Sequence, residues 1–470
     1  MTQLFGTDGI RGMANTFPMT SEIAMATGKA VAHLLLTRPN LAGESSFPIG
    51  LKPLESNRKV RRPRVVVGKD TRLSGYMIEN AIASGICSMG ADVMLIGPLP
   101  TPGVAFVTKS MRADAGIMIS ASHNPYQDNG IKIFSADGIK LSADFELEIE
   151  RLVQSGECEN HLPTGDLIGK AYRIDDAIGR YLVFLKSQFS NDLDLLGTRV
   201  VLDTANGAPY KVAPLVFEEL GAEVIRLGNQ PNGLNINHNC GALHPEIAAG
   251  ATVEFRADIG ISLDGDGDRC ILSDENGEIV DGDQIIGLCA IQMAKEGRLS
   301  SNRIVTTPMS NIGLEVALKK HGIQMSRAQV GDRHVFEMMK TEGSNLGGEQ
   351  SGHLIFADHS TTGDGVVAAL KVLEIMRKTG KPLSELKRDI QLFPQVCQNV
   401  RVSSKPPIEE FQEITESISD AESKLADRGR VFVRYSGTES LLRVLVEGEN
   451  SKEIKKLSDQ IVKSISKNIG

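Results

Sequence analysis

The chain has 470 residues, 41% of them apolar and 23% charged, so it is long enough for about three or four domains and is not disordered, collagen-like or coiled-coil in composition. It contains 47 glycines, 4% aromatic residues and no tryptophan, which favours layered α/β domains with aliphatic cores. The formal net charge of -8 excludes an overall field that attracts nucleic acid or an anionic membrane, so any phosphate site must be local.

The N-terminus and the cysteines predict a cytoplasmic setting. Asp8 stands in MTQLFGTDGIRG where a secretory peptide would need an apolar run, and no stretch approaches the ~18 apolar residues of a membrane helix. The six cysteines are widely spaced and form no CxxC pair, which indicates reduced thiols rather than a zinc or redox motif. We therefore expect a soluble cytoplasmic protein with no membrane or nucleic-acid partner.

Strand-like runs followed by helix-compatible stretches recur along the chain. The runs that open each block lie at residues 62–70, 197–207 and 301–311. A second strand follows a helix-ending glycine in each block, at residues 89–97, 220–228 and 321–331. Strand, helix and strand at this spacing predict parallel βαβ units. A third element repeats as well, because RADAGIMISASHN at 112–124 matches RADIGISLDGDGD at 256–268, so we infer duplicated α/β domains.

The pattern changes after residue 371. A helical KPLSELKRDI is followed by the strands QNVRVSS, RVFVRYSG and LLRVLVEG and by a final helix. The predicted fold class is therefore α/β, with three similar α/β domains of mixed, largely parallel sheets and a smaller C-terminal α+β domain around a central cleft. The predicted divisions are 1–157, 158–258, 259–371 with a metal loop near its start, and 372–470.

The segment from Pro39 to Pro63 interrupts the first block and is interpreted as an insertion. A basic cluster lies in or next to it, made of Arg58, Lys59, Arg61, Arg62 and Arg64. The cluster has no interleaved aromatic residues and the chain is acidic, so a solvated loop is favoured over a nucleic-acid site.

A dense polar loop ends the third strand of the first block. GIMISASHNPYQDNGIKIF at 116–134 contains Ser120, Ser122, His123, Asn124 and Lys132. The G-x-S-x-G elbow of serine hydrolases is missing, and adjacent side chains tend to diverge, so a pair made of Ser122 and His123 is disfavoured. Ser122 can be a nucleophile only if another group activates it or if it already carries the group to be transferred.

Three carboxylates separated by glycines follow the matching strand of the second block. In DGDGDR at 264–269, the glycines let the backbone curl so that Asp264, Asp266 and Asp268 converge on one hard cation. Without a cation, carboxylates ~5 Å apart would repel by about 3 kcal/mol per pair at an effective dielectric of about 20. An EF-hand is disfavoured, because Arg269 occupies the position where that loop needs glycine and the flanks are typical of strands.

Two further loops carry ligand-binding residue types. GGEQSGH at 347–353 brings Glu349, Ser351 and His353 together among glycines that let a polar ligand approach the backbone. RYSGTESLLR at 434–443 offers charge-assisted donors and accessible amides suited to an anionic phosphate, namely Arg434, Ser436, Gly437, Thr438 and Arg443. An ordinary turn is the alternative for each loop.

Taken together, these loops resemble those of the α-D-phosphohexomutase superfamily, and within it the branch that acts on glucosamine phosphates. The resemblance covers almost the whole chain and follows the family's order across four domains. It rests on FGTDGIRG at 5–12, ISASHNP at 119–125, DGDGDR, GGEQSGH, TTGDG at 361–365 and RYSGTES.

The resemblance implies an enzyme, an intramolecular phosphotransferase of the isomerase class. Its substrate would be a small sugar phosphate: glucosamine 6-phosphate and glucosamine 1-phosphate would interconvert through glucosamine 1,6-bisphosphate, which also acts as an activator. The cofactor would be Mg²⁺, and a homodimer is left open. The activity would lie on the bacterial route to UDP-N-acetylglucosamine and the cell wall.

The resemblance also implies a role for each loop. Ser122 would be a phosphoserine and would ligate Mg²⁺ together with Asp264, Asp266 and Asp268. The sugar would be contacted by Glu349, Ser351 and His353. The phosphate that does not react would be clamped by Arg434, Ser436, Gly437, Thr438 and Arg443. The reacting group would lie near Arg11 and Lys132, and the general base would be Lys132 or His123.

The chain departs from the family pattern at a few positions. Tyr435 and Ser440 stand where the phosphate loop usually has prolines, and Ala242 and Leu243 stand where serine and threonine are common. The insertion from Pro39 to Pro63 is additional. None of these departures touches the residues expected to carry the chemistry.

Two alternatives stay open on the sequence. A mutase of the same superfamily that acts on glucose or mannose phosphates is disfavoured by GGEQSGH but not excluded. A non-catalytic metal or sugar-phosphate binding protein would keep the aspartates and the arginine loop but would need no phosphorylated Ser122.

Overall fold

The computed structural model describes residues 4–6, 8–37, 61–435 and 441–469. These residues form four sheets, of seven, five, four and three strands in chain order. No helix within the described ranges is long and apolar enough to cross a membrane. Most of the predicted insertion and the centre of the predicted phosphate loop, Ser436, Gly437 and Thr438, lie outside the described residues.

The first domain contains the seven-stranded sheet. Its strands are β1 (Phe5–Gly6), β2 (Gly9–Met13), β3 (Arg64–Lys69), β4 (Asp92–Pro98), β5 (Ala115–Ile119), β6 (Asp128–Ser135) and β7 (Ala171–Arg173). They lie in the order β1-β2-β6-β5-β3-β4-β7. Strands β5, β3, β4 and β7 are parallel, whereas β6, β2 and β1 are added antiparallel. The helices are α1 (Ser21–Thr37), α2 (Ser74–Ser88), α3 (Thr101–Ser110) and α4 (Ala143–Ser155), and α5 (Ala177–Ser187) leads to the second domain.

Both faces of the first sheet are buried, as is usual for parallel strands with helical crossovers. Val65 and Val67 of β3 belong to the core that includes α1, α2 and α4. Val66, which points to the opposite face, belongs to a core with α3 and α5. This second core continues without a break into the next two domains, through Leu202, Ile261, Leu288, Ile304 and Leu370.

The second domain contains the five-stranded sheet. Its strands are β8 (Arg199–Asp203), β9 (Glu223–Leu227), β10 (Ile259–Leu263), β11 (Cys270–Asp274) and β12 (Ile279–Val280), with helices α6 (Val212–Glu219) and α7 (Pro245–Glu254). The strand order is β12-β11-β10-β8-β9. Strands β10, β8 and β9 are parallel, and β11 pairs antiparallel with β10 as β6 does with β5.

The predicted duplication is visible in the local geometry of the two matching segments. Arg112 and Arg256, which precede strands β5 and β10, both have φ of +51°. Two residues later, Asp114 and Asp258 each accept a 2.7 Å hydrogen bond from the first backbone N–H of the neighbouring parallel strand. The repeated RAD sequence therefore has the same structural task in both domains.

The third domain contains the four-stranded sheet. Its strands are β13 (Arg303–Thr306), β14 (Gln324–Arg327), β15 (Leu346–Gly348) and β16 (Leu354–Phe356), in the order β14-β13-β15-β16. The helices are α8 (Gly282–Lys295), α9 (Ile312–Lys320), α10 (Asp332–Glu342), α11 (Gly365–Thr379) and the short α12 (Leu383–Leu386). Strand β16 is antiparallel to β15, so the third sheet repeats the plan of the first two.

The fourth domain is the predicted smaller α+β unit. It has the antiparallel sheet β17-β19-β18, made of β17 (Gln395–Arg401), β18 (Gly429–Tyr435) and β19 (Leu441–Gly448), and the helices α13 (Gln412–Leu425) and α14 (Ser451–Asn468). Its hydrophobic core is separate from the continuous core of the other domains and includes Ile414, Val444 and Ile461. At its junction with the third domain, Asn311 bonds through its side chain to both backbone groups of Phe393.

The predicted domain divisions after residues 258 and 371 do not coincide with gaps between domains in the structure. Strand β10 begins at Ile259, yet it pairs with β8 in the second sheet, and α11 runs through residue 371. We therefore place the 264–269 loop in the second domain rather than at the start of the third. Strand β7, after residue 157, likewise joins the first sheet.

Candidate active site

Three of the predicted loops occupy the same position in their domains. Residues 120–127 connect β5 to β6, residues 264–269 connect β10 to β11, and residues 349–353 connect β15 to β16. Each loop therefore leaves the carboxyl end of a parallel strand, which is where open α/β sheets bind their ligands. Hydrogen bonds between the loops bring the carboxyl ends of the three sheets together at one site.

Ser122 joins the first loop to the second. It is 1% exposed, and its φ of +52° lies in the left-handed region that non-glycine residues rarely adopt. Its Oγ donates a 2.6 Å hydrogen bond to Oδ2 of Asp264 and lies 3.3 Å from Nδ1 of His123. The reactive hydroxyl predicted from the sequence thus points directly at the aspartate loop.

The three aspartates of the second loop converge as predicted. One oxygen from each of Asp264, Asp266 and Asp268 lies within 4.8 Å of the others, and all three side chains are buried. Nζ of Lys132 lies 2.7 Å from Oδ2 of Asp266 and 3.4 Å from Oδ2 of Asp268. Thr101, at the start of α3, donates a 2.7 Å hydrogen bond to the Asp266 carboxylate. The cluster therefore holds more negative charge than Lys132 alone can balance.

The pKa values of these groups follow from their burial and mutual distance. Burial, and then the carboxylates of Asp268 and Asp266, raise the pKa of Asp264 well above its ordinary value. Burial alone would lower the pKa of Lys132, but the carboxylates of Asp266 and Asp268 outweigh it and raise that pKa. Lys132 is therefore a cation that balances part of the negative charge of the aspartate loop.

The other two predicted catalytic residues, His123 and Arg11, lie at the edge of this cluster. Burial, and then the charges of Arg269 and Arg11, lower the pKa of His123 to about 4, so its ring is neutral at pH 7. Arg11 is on β2, opposite Gly130 of β6, and its Nη2 lies 3.5 Å from Oδ2 of Asp8. The site thus combines a neutral imidazole with several fixed cations.

The third loop presents Glu349 and Ser351 at its surface. Glu349 is half-buried, and its Oε1 accepts a 3.2 Å hydrogen bond from the backbone N–H of Gly331. Ser351 is exposed at the tip of the loop. The loop is tied to the aspartate loop, because the N–H of Cys270 donates to the carbonyl of Gly352 over 3.0 Å.

His353 has a different position from the sugar-contacting one expected of it. It is buried, and its Nδ1 lies 3.6 Å from Oδ1 of Asp268. Its Nε2 accepts a 3.1 Å hydrogen bond from the N–H of Gly363 in the TTGDG motif, so the proton of a neutral ring is on Nδ1 and faces the aspartate. His353 therefore orients Asp268 instead of lining the open side of the loop.

Arg434 and Arg443, at the two ends of the predicted phosphate loop, are brought face to face. They are direct partners in the antiparallel pair β18–β19, and the Nε atom of Arg434 is buried without a hydrogen bond. Burial, and then the charge of Arg443, lower the pKa of Arg434. Like charges directly opposite each other destabilise a sheet, so this pair is suited to an anionic ligand.

Arg72 is a site residue that the sequence analysis missed. It is completely buried and pairs with Asp70 over 2.8 Å. Its guanidinium also donates to four carbonyl oxygens of the first loop, those of Ser122, Asn124, Pro125 and Asp128. KDTRLSG leaves the carboxyl end of β3, beside β5, and that position is the signal that would have found Arg72.

Asn237 was missed as well, although it lies in the segment 235–246 that departs from the family pattern. Its Nδ2 donates to the carbonyls of Ser122 and Asn124 over 2.8 and 3.0 Å. The carbonyls of Ser122 and Asn124 therefore accept hydrogen bonds both from Arg72 of the first domain and from Asn237 of the second. The strained backbone at Ser122 is fixed from two sides.

Further contacts join the first domain to the third. Nζ of Lys140 lies 2.5 Å from Oδ2 of Asp332, and Nη2 of Arg333 donates a 2.8 Å hydrogen bond to the carbonyl of Leu141. Both partners from the third domain lie at the start of α10, close to Gly331, which binds Glu349. The contacts of α10 with the first domain therefore help to fix the position of the 349–353 loop relative to the first domain, which carries Ser122.

Comparison with known proteins identifies this arrangement. Profiles of the phosphoglucomutase/phosphomannomutase family match in chain order: α/β/α domains I, II and III at residues 52–159, 180–277 and 281–393, and the C-terminal domain at 398–464. A phosphoglucosamine mutase from Syntrophotalea carbinolica is 56% identical over 468 residues, which cover 100% of this chain and 98% of that protein. Seven further phosphoglucosamine mutases are 51% to 54% identical. The chain therefore belongs to the phosphoglucomutase/phosphomannomutase family, and within it to the phosphoglucosamine mutases.

Solved structures share the fold at lower identity. A phosphoglucomutase/phosphomannomutase family protein from Burkholderia thailandensis superimposes with a TM-score of 0.79 at 22% identity, covering 100% of this chain and 99% of that one. N-acetylphosphoglucosamine mutase from Aspergillus fumigatus, solved with GlcNAc-6P and magnesium, has a TM-score of 0.60 at 18% identity over 82% of this chain and 93% of that one. At these identities the likeness shows the fold alone.

Proposed function

We propose that this enzyme interconverts glucosamine 6-phosphate and glucosamine 1-phosphate, with Ser122 as the residue that lends and recovers a phosphoryl group. One observation carries the proposal: the Ser122 hydroxyl lies 2.6 Å from a carboxylate of a buried group of three aspartates. A buried serine at a cluster of metal-ligating carboxylates has the parts that phosphoryl transfer needs, namely a nucleophile and a means of neutralising charge.

The aspartate loop fits Mg²⁺ as its cofactor. Oδ1 of Asp266 and Oδ1 of Asp268 are buried and make no hydrogen bond, although Oδ1 of Asp268 lies 3.6 Å from Nδ1 of His353. Both oxygens can therefore accept a further ligand. Three carboxylates and an oxygen of the Ser122 phosphate would supply the oxygen-only shell that a hard cation prefers. The bound ion supplies neutralisation of the charge that develops on the transferring group. Zn²⁺, which prefers nitrogen and sulfur ligands, should substitute poorly.

The transfer takes two half-reactions that use the same serine. In the first, a hydroxyl of the sugar monophosphate forms a bond to the phosphorus of phospho-Ser122 while the bond from phosphorus to Oγ breaks, giving glucosamine 1,6-bisphosphate and a serine alkoxide that regains a proton. The bisphosphate then turns round. In the second, Ser122 Oγ bonds to the other phosphorus and the sugar oxygen leaves with a proton, so phosphate is conserved overall.

Different side chains are assigned to proton transfer and to neutralising the charge of the phosphoryl group. We assign proton transfer to His123, because its Nδ1 lies 3.3 Å from Ser122 Oγ. Lys132 is held in ion pairs with two aspartates, and we assign it, with Arg11, to the oxygens of the moving phosphoryl group. His353 positions Asp268, and Arg72 and Asn237 position the Ser122 loop.

A coupled assay that compares glucosamine, glucose and mannose phosphates tests the proposed substrate. The highest kcat/KM is expected for glucosamine phosphate. A preference for glucose or mannose phosphate would instead identify a different mutase of this family. Intact mass before and after phosphatase treatment tests the class: an active enzyme without a removable phosphate would reject the phosphoserine mechanism.

Glu349 is expected to select the amino sugar. A charge-assisted hydrogen bond between its carboxylate and the substrate ammonium contributes about 1.5 to 3 kcal/mol, so Glu349→Ala should lower kcat/KM for glucosamine phosphate about 10- to 100-fold and for glucose phosphate much less. Glu349→Gln is the matched variant, since its amide oxygen can still accept the hydrogen bond from Gly331 but carries no charge. It should show the same selective loss on glucosamine phosphate if the charge of Glu349 is what binds the ammonium group. Equal losses on the two substrates would reject the amine contact.

Arg434 is expected to retain the bisphosphate while it turns between the half-reactions. Arg434→Ala should raise KM about tenfold through the lost charged contact. It should also make turnover decay with time, because each escape of bisphosphate leaves Ser122 without phosphate. Progress curves with and without added glucosamine 1,6-bisphosphate measure this, and the bisphosphate should restore the rate.

The control is Arg401→Ala, which removes an exposed arginine from strand β17 of the same sheet and should behave like the parent enzyme. A mutant at Arg434 that slows but never decays, and that bisphosphate does not rescue, would exclude retention by this loop.

We also propose a cytoplasmic location for the enzyme, on the route to UDP-N-acetylglucosamine and cell-wall precursors. Its six cysteines are all unpaired thiols, which is the usual state in a reducing compartment. The homodimer that the sequence leaves open is tested by sedimentation of the purified chain.

A further inference from the structure

A group of metal-ligating side chains lies apart from the aspartate loop, where α1 meets a turn that follows α4. His33 is on α1, and Glu157 and His161 are at the two ends of the 3-10 turn Glu157–His161. One ligand atom from each of the three lies within 4.8 Å of the others. The two imidazole rings are 5.1 Å apart between centroids and tilted by 34°.

The turn that carries two of these residues is fixed against α1 and α4. Cys158 is buried and belongs to the core that includes these helices. Glu159 is also anchored, because Nζ of Lys29, one helical turn before His33 and on the same face, lies 2.5 Å from its Oε1. The ligand groups are therefore held in place by packing and by an ion pair that does not involve them.

The ion pairs around this group would allow Glu157 to bind a cation. Glu157 binds Nη1 of Arg151 through Oε2 over 2.7 Å. Arg151 also binds both carboxylate oxygens of Glu148 over 3.0 and 3.1 Å. Arg151 would thus keep an acidic partner when an oxygen of Glu157 turned to a metal ion.

We propose that His33, Glu157 and His161 bind one divalent transition-metal ion, with Zn²⁺ as the best fit. Two imidazole nitrogens and one carboxylate oxygen are a typical zinc donor set, completed by water. Neighbouring ligands of a tetrahedral zinc ion are roughly 3.3 Å apart for bonds of about 2.0 Å. Small rotations of the exposed His161 and of the half-buried His33 and Glu157 would bring the three ligand atoms to that spacing. Imidazole ligands disfavour Mg²⁺, so this site and the aspartate loop would select different metals.

The site is tested by titrating chelator-treated full-length protein with ZnCl₂ in a calorimeter, in excess Mg²⁺ so that the aspartate loop is saturated. We expect one Zn²⁺ per chain and a raised Tm, because the ion would tie α1 to the turn. His161→Ala and Glu157→Gln should each weaken binding at least about tenfold. Co²⁺, used as a spectroscopic probe, should give a tetrahedral visible band that His161→Ala removes.

Two controls separate this site from other zinc binding. His244→Ala replaces an exposed histidine whose Nδ1 lies 3.1 Å from Glu246, and it should leave the titration unchanged. Asp266→Asn should leave zinc binding unchanged as well, since it alters the aspartate loop. Equal zinc affinity in His161→Ala and the parent protein, or a loss of zinc binding in Asp266→Asn, would overturn the proposal. His161 is exposed, and thermal unfolding without metal verifies that its variant is folded.

Discussion

Ser122→Ala is expected to lower turnover by about 10³-fold or more and to abolish phosphate incorporation. No other group can take its place, because the proposed reaction uses the serine oxygen as leaving group in one half-reaction and as nucleophile in the other, and removal of a nucleophile commonly costs this much or more. Peptide mass spectrometry of the 112–135 region and a coupled assay measure the two effects.

The matched control is Ser187→Ala, which removes an exposed hydroxyl from the end of α5 and should change neither readout. The loss in Ser122→Ala should persist with added glucosamine 1,6-bisphosphate, since no serine is available to be phosphorylated. Normal turnover in the Ser122 variant, or active parent enzyme without phosphate on this peptide, would rule out the mechanism.

Asp264→Asn is expected to remove activity without weakening the metal-free protein. The loss of one carboxylate should lower kcat by about 10²- to 10³-fold, as does the loss of a group that stabilises the transition state. The metal-free fold should be at least as stable as the parent, because burial and the neighbouring carboxylates disfavour the charge of Asp264. An amide can keep both hydrogen bonds of Asp264, since its oxygen can accept from the N–H of Arg269 and its NH₂ group can donate to Ser122 Oγ. Assays and thermal unfolding, each with Mg²⁺ or with EDTA, measure both effects.

The comparison variant is Asp258→Asn, at the other end of strand β10. Its side chain is exposed and accepts a hydrogen bond from the backbone of Arg199, so its removal should leave the Mg²⁺ dependence intact. Mg²⁺ should raise the Tm of the parent and of this control but not of Asp264→Asn. Undiminished turnover of the parent enzyme in excess EDTA would contradict the metal site.

The loops that carry the chemistry could be predicted from the sequence because each is determined by residues that are close together in the chain. Glycines between Asp264, Asp266 and Asp268 allow the chain to curl, and an apolar strand before Ser122 fixes where its loop begins. The repeat carries the information that the division after residue 258 leaves unused. RADIGISL matches RADAGIMI, which contains β5 of the first sheet, so the repeat itself assigns β10 to the second sheet.

What the sequence could not supply is contact between distant segments. Arg72 stands in a polar turn, and nothing in that pattern shows that four carbonyls from residues 122–128 close around it. The sugar contact expected of His353 comes from the family resemblance of the GGEQSGH motif. Its burial against Asp268 depends on how the third domain packs on the second.

The separate core of the fourth domain has a kinetic consequence. The first three domains share one continuous core, and the first two hold the carbonyl of Ser122 from both sides. The fourth domain, which carries Arg434 and Arg443, has its own core and is joined to the third domain near Phe393 and through Arg430, which donates to the carbonyl of Ser310. We therefore expect the fourth domain to be the part that moves when the proposed sugar phosphate enters, turns and leaves, so that the rate of release can evolve independently of the chemical step.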